Sequence, residues 1–241
     1  MNVEISPLLR RCLNASIAEL STEFRGVFSR ETVARYLKDS VEQIGERPTI
    51  GPNFLPVIIE RFARERLWAV AHAEQRMEKG IPEVLFVCEH NAGRSQIAAT
   101  LTHHLSNGWV GVRSAGAHPD EQIDPIVVQA MTEIGVDVAL EFPKPLTDEV
   151  VLASDVVVTL GCGDACAVYP GKRYQDWPVP DPAGQPLAVV RQVRYDLYHH
   201  VWERLGTAGD ARPDRRPPRP APSDRRPAVT CVPADALVHG G

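Results

Sequence analysis

No apolar run in the 241 residues approaches the roughly 18 needed to cross a bilayer, so no membrane span is expected. The opening residues, MNVEISPLLRRC, lack both the apolar stretch and the small-residue cleavage site of a secretory signal. There is no surplus of basic charge either. Lys and Arg number 26 against 31 Asp and Glu, a net charge of -5, which argues against a dedicated nucleic-acid binder. Cysteine is scarce and odd in number: Cys12, Cys88, Cys162, Cys166 and Cys231. Such a set does not form a secreted disulfide framework; it points to a cytoplasmic chain whose cysteines are catalytic, redox-active or buried. No second ligand pair matches the spacing of Cys162 and Cys166, so no zinc site or other metal is expected. What the chain does have is a 44% hydrophobic content, which excludes wholesale disorder and suffices for one full-size domain beside a small one.

Three parts follow from the change in pattern along the chain. Residues 1–79 carry helical signals only. Ser6 before Pro7 caps a first helix running to about Phe24. Ser29 caps a second, with Val33, Leu37, Val41 and Ile44 at helical spacing. Asn53 is the candidate cap of a third, bearing Leu55, Ile58, Ile59, Phe62, Leu67 and Val70 and closed by Gly80 and Pro82. Basic and acidic residues balance at 11 each over residues 1–78, so this three-helix bundle lacks the electrostatic footprint of a DNA reader. It reads as an accessory or dimerisation module, since its apolar stripes exceed what so small a unit can bury alone, and a homodimer is expected.

Residues 82–206 alternate strands with helices. VLFVC (84–88), VGVRSA (110–115) and DVVVTL (155–160) are strand-like, with a fourth, short strand at Tyr174–Trp177. Helical segments lie at 95–106, 124–134 and 187–205. This alternation predicts an α/β domain with a four-stranded parallel sheet covered on both faces. In such folds ligands bind at the carboxyl ends of the strands, and the first strand ends on Cys88. Residues 207–241, rich in Pro and Arg, are read as a disordered tail that contains Cys231.

The segment VLFVCEHNAGRSQIAA holds C-x5-R, from Cys88 to Arg94, between a buried strand and a helix start. A short loop in that setting turns its backbone N–H groups inward, making an anion nest from Asn91, Ala92, Gly93, Arg94 and Ser95. The Arg94 fork matches an oxyanion in bidentate fashion. A cysteine beneath such a nest is favoured as thiolate. The Ser95 hydroxyl can donate to its sulfur, Asn91 suits a left-handed turn and Gly93 permits close backbone approach. His90 is read as an exposed loop histidine, and Cys12 as a core residue of the first helix.

These residues resemble the low-molecular-weight tyrosine phosphatase superfamily, in particular its thioredoxin-linked arsenate reductase branch. The likeness covers about residues 82–205 and is carried by CEHNAGRSQ (88–96), SAGAHP (114–119), TLGCGDAC (159–166) and DPAG (181–184). It implies a flavodoxin-like fold and an actinobacterial type of helical N-terminal extension. It implies that Asp181, on the loop WPVPDPAG, protonates the departing oxygen. It implies further that Cys88 attacks arsenate, that Cys162 attacks the resulting adduct, and that Cys166 carries the disulfide outward to thioredoxin, with no cofactor.

Three points separate the reductases from the phosphatases of the superfamily, the most telling being the second and third cysteines, Cys162 and Cys166, in a Gly-rich loop directly after a strand end. The phosphatases usually place a second cysteine inside the loop and a proline after the serine, where this chain has Gly93 and Gln96. Their Asp-Pro is commonly followed by tyrosines, where this chain has Ala183 and Gly184. The GDA between Cys162 and Cys166 is shorter than the spacing in the best-known relay members. A tyrosine phosphatase, a mycothiol-dependent reductase using Cys88 alone, and an oxyanion-binding or redox-sensing module remain the alternatives.

Overall fold

A computed structural model describes residues 6–45, 51, 54–138, 140–162 and 168–208. The tail, Cys166, Cys231 and the candidate cap Asn53 lie outside the described residues. The chain divides into two compact units, with the division falling after Trp68.

The first unit holds α1 (Pro7–Glu23), α2 (Arg30–Ile44) and the start of α3 (Leu55–Ala73). Ser6 and Ser29 are the caps that their residue types predict. Their hydroxyls accept the N–H groups of Leu9 and Thr32, which have no partner inside the helix. The helical stripes converge on a core in which Leu20, Phe24, Val33, Leu37, Ile59, Phe62 and Leu67 are buried. Each such side chain contributes about 1.5–3 kcal/mol when fully removed from water. Trp68 meets Phe24 edge-on at 5.3 Å and donates its indole N–H to Glu23. Cys12 is buried as expected. It is also disulfide-bonded, which the cysteine count gave no reason to expect.

Helix α3 ends at Ala73, short of the Gly80 and Pro82 that mark its end in the sequence. The stop is a Schellman turn with glutamine where glycine is usual. Gln75 takes φ 55°, Arg76 N–H bonds the Ala71 carbonyl at 2.8 Å and Gln75 N–H bonds that of His72.

The second unit, from Ala69, contains β1 (Glu83–Cys88), α4 (Arg94–Ser106), β2 (Gly111–Gly116) and α5 (Pro125–Thr132). It continues through α6 (Asp148–Ala153), β3 (Val156–Thr159), β4 (Arg173–Asp176) and α7 (Leu187–Ala208). The four strands form one parallel sheet in the order β2-β1-β3-β4, as the alternation of strands and helices predicts. Strand β1 is central and buried throughout, which is why it reads as a continuous apolar run. Its Val84, Phe86 and Cys88 face one core, with Ile97, Met131, Val190 and Leu197. Leu85 and Val87 face the other, with Ala69, Val150, Val151 and Val157. The short α6, absent from the sequence reading, supplies Val150 and Val151 to that second face; six residues are too few to show a helical period.

At the edge of the sheet where β1 begins, Glu83 is buried between His72 (3.1 Å) and Arg113 (2.8 Å). Burial pushes its carboxyl up, but the hydrogen bond from His72 and the charge of Arg113 outweigh this and hold it below the usual carboxylate range. Among the described residues no helix is long and apolar enough to cross a membrane.

Candidate active site

The site lies at the opposite edge of the sheet, where β1 ends. Cys88 is the last residue of that strand and pairs in register with Gly116. The loop from Glu89 to Gly93 then delivers the chain to α4. Gly93 precedes that helix and provides no capping side chain, so nothing from the protein's own cap competes for the first-turn N–H groups. Asn91 sits in the left-handed region at φ 48°, the role its residue type predicts.

Cys88 is a buried free thiol. The Asn91 backbone N–H donates to its sulfur at 3.2 Å, and Ser95 Oγ lies 2.9 Å away. The direction of that second bond is fixed by a chain of donors. The Lys144 backbone N–H, which can only donate, reaches Asn91 Oδ1 at 2.8 Å, and Gln96 Nε2 does so at 3.1 Å. Asn91 therefore presents its Nδ2 to Ser95 Oγ, at 2.7 Å. The Ser95 hydroxyl proton is then free to point at the sulfur, and a thiolate there receives two donors. All of these groups except Cys88 and the two backbone amides come from Asn91, Ser95 and Gln96, each essentially fully buried. The bracing role of Gln96 escaped the sequence reading, which noted only that it replaces proline. A polar side chain in a buried first helical turn was the available signal.

Arg94 is buried, and its Nη2 donates to Asp181 Oδ2 at 2.6 Å. Asp181 also accepts the Ala183 N–H, an Asx turn that shapes the Asp-Pro loop. The two motifs touch directly. A Cβ on Gly93 would lie 2.8 Å from the Pro182 ring, so the loop approaches only because position 93 is glycine. Cys88, Ala92, Gly93, Arg94 and Asp181 thus line one small pocket, together with His90, Asp120, Asp124 and Ala183. Sequence reasoning left Asp120 and Asp124 aside. Asp124 has a second task as the cap of α5, accepting the Ile126 N–H at 2.8 Å. His90, expected to be an exposed loop residue, is only half exposed and faces this pocket.

Cys162 follows β3, the immediate neighbour of β1. Val87 pairs with Thr159, and the Leu160 N–H bonds the Val87 carbonyl at 2.8 Å. Gly161 combines φ 68° with a position at which a Cβ would lie 2.5 Å from Arg94 Nη1. The chain therefore enters Cys162 from beside the arginine. The Cys162 side chain is buried in the core on the sheet face away from Cys88, and it is disulfide-bonded. Beyond this loop Tyr169 anchors the returning chain. Its hydroxyl donates to Asp148, which pushes the phenol up to about 12, and its N–H bonds the Tyr174 hydroxyl. Cys166 lies outside the described residues. Among the described residues no cluster of three or more His, Cys, Asp or Glu is arranged to hold a metal ion.

A thiol under a nest of donors, an arginine fork and a loop carboxylate beside it can bind a tetrahedral oxyanion and attack its central atom. Comparison with known proteins gives the same picture. Residues 83–205 match the family model for low molecular weight phosphotyrosine protein phosphatases, and residues 13–71 match that for a protein-tyrosine-phosphatase-like N-terminal domain. The glutaredoxin arsenate reductase of Synechocystis sp. is 33% identical over 123 residues, 49% of this chain and 92% of that protein. Arsenate reductase 1 of Staphylococcus epidermidis is 31% identical over 118 residues, 47% of this chain and 88% of the relative. The solved thioredoxin-dependent arsenate reductase of Corynebacterium glutamicum is 40% identical, with a TM-score of 0.74, covering 84% of this chain and 98% of that one. Because that family model spans residues 83–205, just over half of the chain, the chain belongs to the low-molecular-weight phosphotyrosine protein phosphatase family.

Proposed function

We propose that this protein is an arsenate reductase that converts arsenate to arsenite with electrons from its own thiols. The observation that carries this reading is the placement of a second cysteine, Cys162, three residues beyond the Thr159 that pairs with Val87. A phosphatase needs one cysteine, whereas reduction of arsenate requires two electrons and hence two sulfurs. The names of the relatives support the same activity.

The Cys88 thiolate attacks arsenic, and one arsenate oxygen leaves as water with a proton from Asp181. Cys162, as thiolate, then attacks the Cys88 sulfur; the sulfur–arsenic bond breaks, its electron pair stays on arsenic, and arsenite departs. A Cys88–Cys162 disulfide remains. Cys166 attacks Cys162 and frees Cys88, and thioredoxin reduces the Cys162–Cys166 disulfide. The disulfide-bonded state of Cys162 is in keeping with the oxidised end of this sequence. A reducing, cytoplasmic setting supplies the electrons. Arsenite formation by the purified chain with thioredoxin, thioredoxin reductase and arsenate tests the reading. Aryl phosphate hydrolysis without arsenate consumption would make it a phosphatase, and turnover only with glutaredoxin or mycothiol would change the donor.

The role of Asp181 is separable. Its ion pair with Arg94 must open when the oxyanion takes the guanidinium, which frees the carboxyl to follow the leaving oxygen. Asp181→Asn is expected to slow adduct formation in a single turnover by about 10²–10⁴-fold. Oxyanion affinity should stay unchanged or tighten, because the competing carboxylate is gone. An unaltered single-turnover rate would leave Asp181 as a turn residue only.

The helical region, residues 1–79, is assigned to homodimerisation. Sedimentation of the full chain at micromolar concentration should give a dimer, and removal of residues 1–68, which leaves Ala69 and His72 with the second unit, should shift it to monomer. A monomeric full-length protein contradicts the assignment.

A further inference from the structure

We propose that His90 is a titratable second cation of the oxyanion pocket, held in place by Asp120, and that it sets how tightly the pocket takes a tetrahedral dianion. The proposal rests on reading the Cys88 pocket as an oxyanion site and goes beyond it by naming the residue that tunes affinity.

The charge around the pocket is unbalanced for an anion site. Its lining holds three carboxylates, Asp120, Asp124 and Asp181, and one permanent cation, Arg94. Arg94 is already paired with Asp181 at 2.6 Å, and an incoming oxyanion must compete for it. Asp124 is partly satisfied by the Ile126 N–H, but Asp120 has no such cap. The side chain that faces Asp120 is His90, with Nδ1 3.5 Å from the carboxylate. The same Nδ1 lies 3.2 Å from the His118 carbonyl, an acceptor only, so Nδ1 carries a proton. The adjoining charged groups do not interfere: His118 Nδ1 is engaged by Glu89 at 2.7 Å.

With Nδ1 committed, Nε2 is the nitrogen left to the pocket. In neutral imidazole it bears a lone pair and cannot donate to an oxyanion. Protonation turns it into a charged donor and offsets Asp120 in the same step. The backbone holds the ring where this counts. The Asp120 N–H bonds the His90 carbonyl at 3.0 Å and the His118 N–H bonds the Glu89 carbonyl at 2.8 Å, so the 118–120 segment is laddered onto the cysteine loop. Adding that proton at lower pH should therefore tighten anion binding through His90.

Sulfate is the probe, because it stays doubly charged where arsenate itself titrates. Its dissociation constant is read from protection of Cys88 against iodoacetamide, followed by mass spectrometry. Between about pH 8 and about pH 5.5 the wild-type constant should fall about tenfold, and that of His90→Gln less than about twofold. Each protein is compared with itself across the two pH values, and unchanged circular dichroism reports an intact fold. Asp120→Asn should bind sulfate more tightly at the upper pH. Equal pH dependence in wild type and His90→Gln overturns the proposal, as does no protection by sulfate at all. Failure of the arsenate reductase reading shows elsewhere, as a wild-type protein that binds sulfate in this way but consumes no arsenate.

Discussion

Cys88→Ser is expected to abolish arsenate reduction while the protein stays folded. The substitution is nearly isosteric, and the Asn91 N–H and Ser95 hydroxyl that serve the sulfur would serve an oxygen as well. What changes is ionisation. A serine hydroxyl gives up its proton far less readily than a thiol, so the anionic nucleophile is all but absent near neutral pH. Nor can an oxygen in place of the sulfur take part in a disulfide, so even slow attack would end without reduction. Arsenite formation should drop to background, with circular dichroism and the thermal midpoint little altered. Substantial turnover by Cys88→Ser would remove the site assignment altogether, since every other role here is defined relative to that sulfur.

The parts of this architecture that could be read from the sequence are those with a local cause. Ser6 and Ser29 announce helix starts because a hydroxyl is needed for orphan N–H groups. VLFVC announces a doubly buried strand because both of its faces are covered. The cysteine loop is legible because a strand end, a short loop and a helix start are contiguous, and the nest, Arg94 and Ser95 follow from that. The parts that were not legible depend on distant chain. Gln75 ends α3 through a left-handed turn that nothing in its residue type announces. Gln96 and the Lys144 backbone orient Asn91 from different segments, 5 and 53 residues away. Asp120 and Asp124 reach the pocket only because the segment after β2 is laddered onto the cysteine loop. The Asp-Pro loop meets Gly93 through a contact that neither motif contains by itself.

Cys162→Ser is expected to consume one equivalent of arsenate and then stall with the arseno-adduct on Cys88. The reason is the division of labour between adjacent strands. β1 and β3 run in parallel and in register, so their last residues emerge side by side, and the chain reaches Cys162 through Gly161 beside Arg94. The Cys162 sulfur is nevertheless packed on the other face of the sheet from Cys88. To meet the adduct the loop has to turn about Gly161, while Tyr169, tied to Asp148 and Tyr174, holds its far end. Without the Cys162 thiol no other cysteine among the described residues follows the strand beside β1, and arsenite should not appear. Cys166→Ser should pass this step, release arsenite once, and trap a Cys88–Cys162 disulfide that thioredoxin reduces poorly, because it lies within the anion pocket. Mass spectrometry of each variant after one equivalent of arsenate distinguishes an adduct of arsenic mass from the loss of two hydrogens. Normal steady-state turnover by both variants with thioredoxin would eliminate the relay and leave Cys88 working with an external thiol.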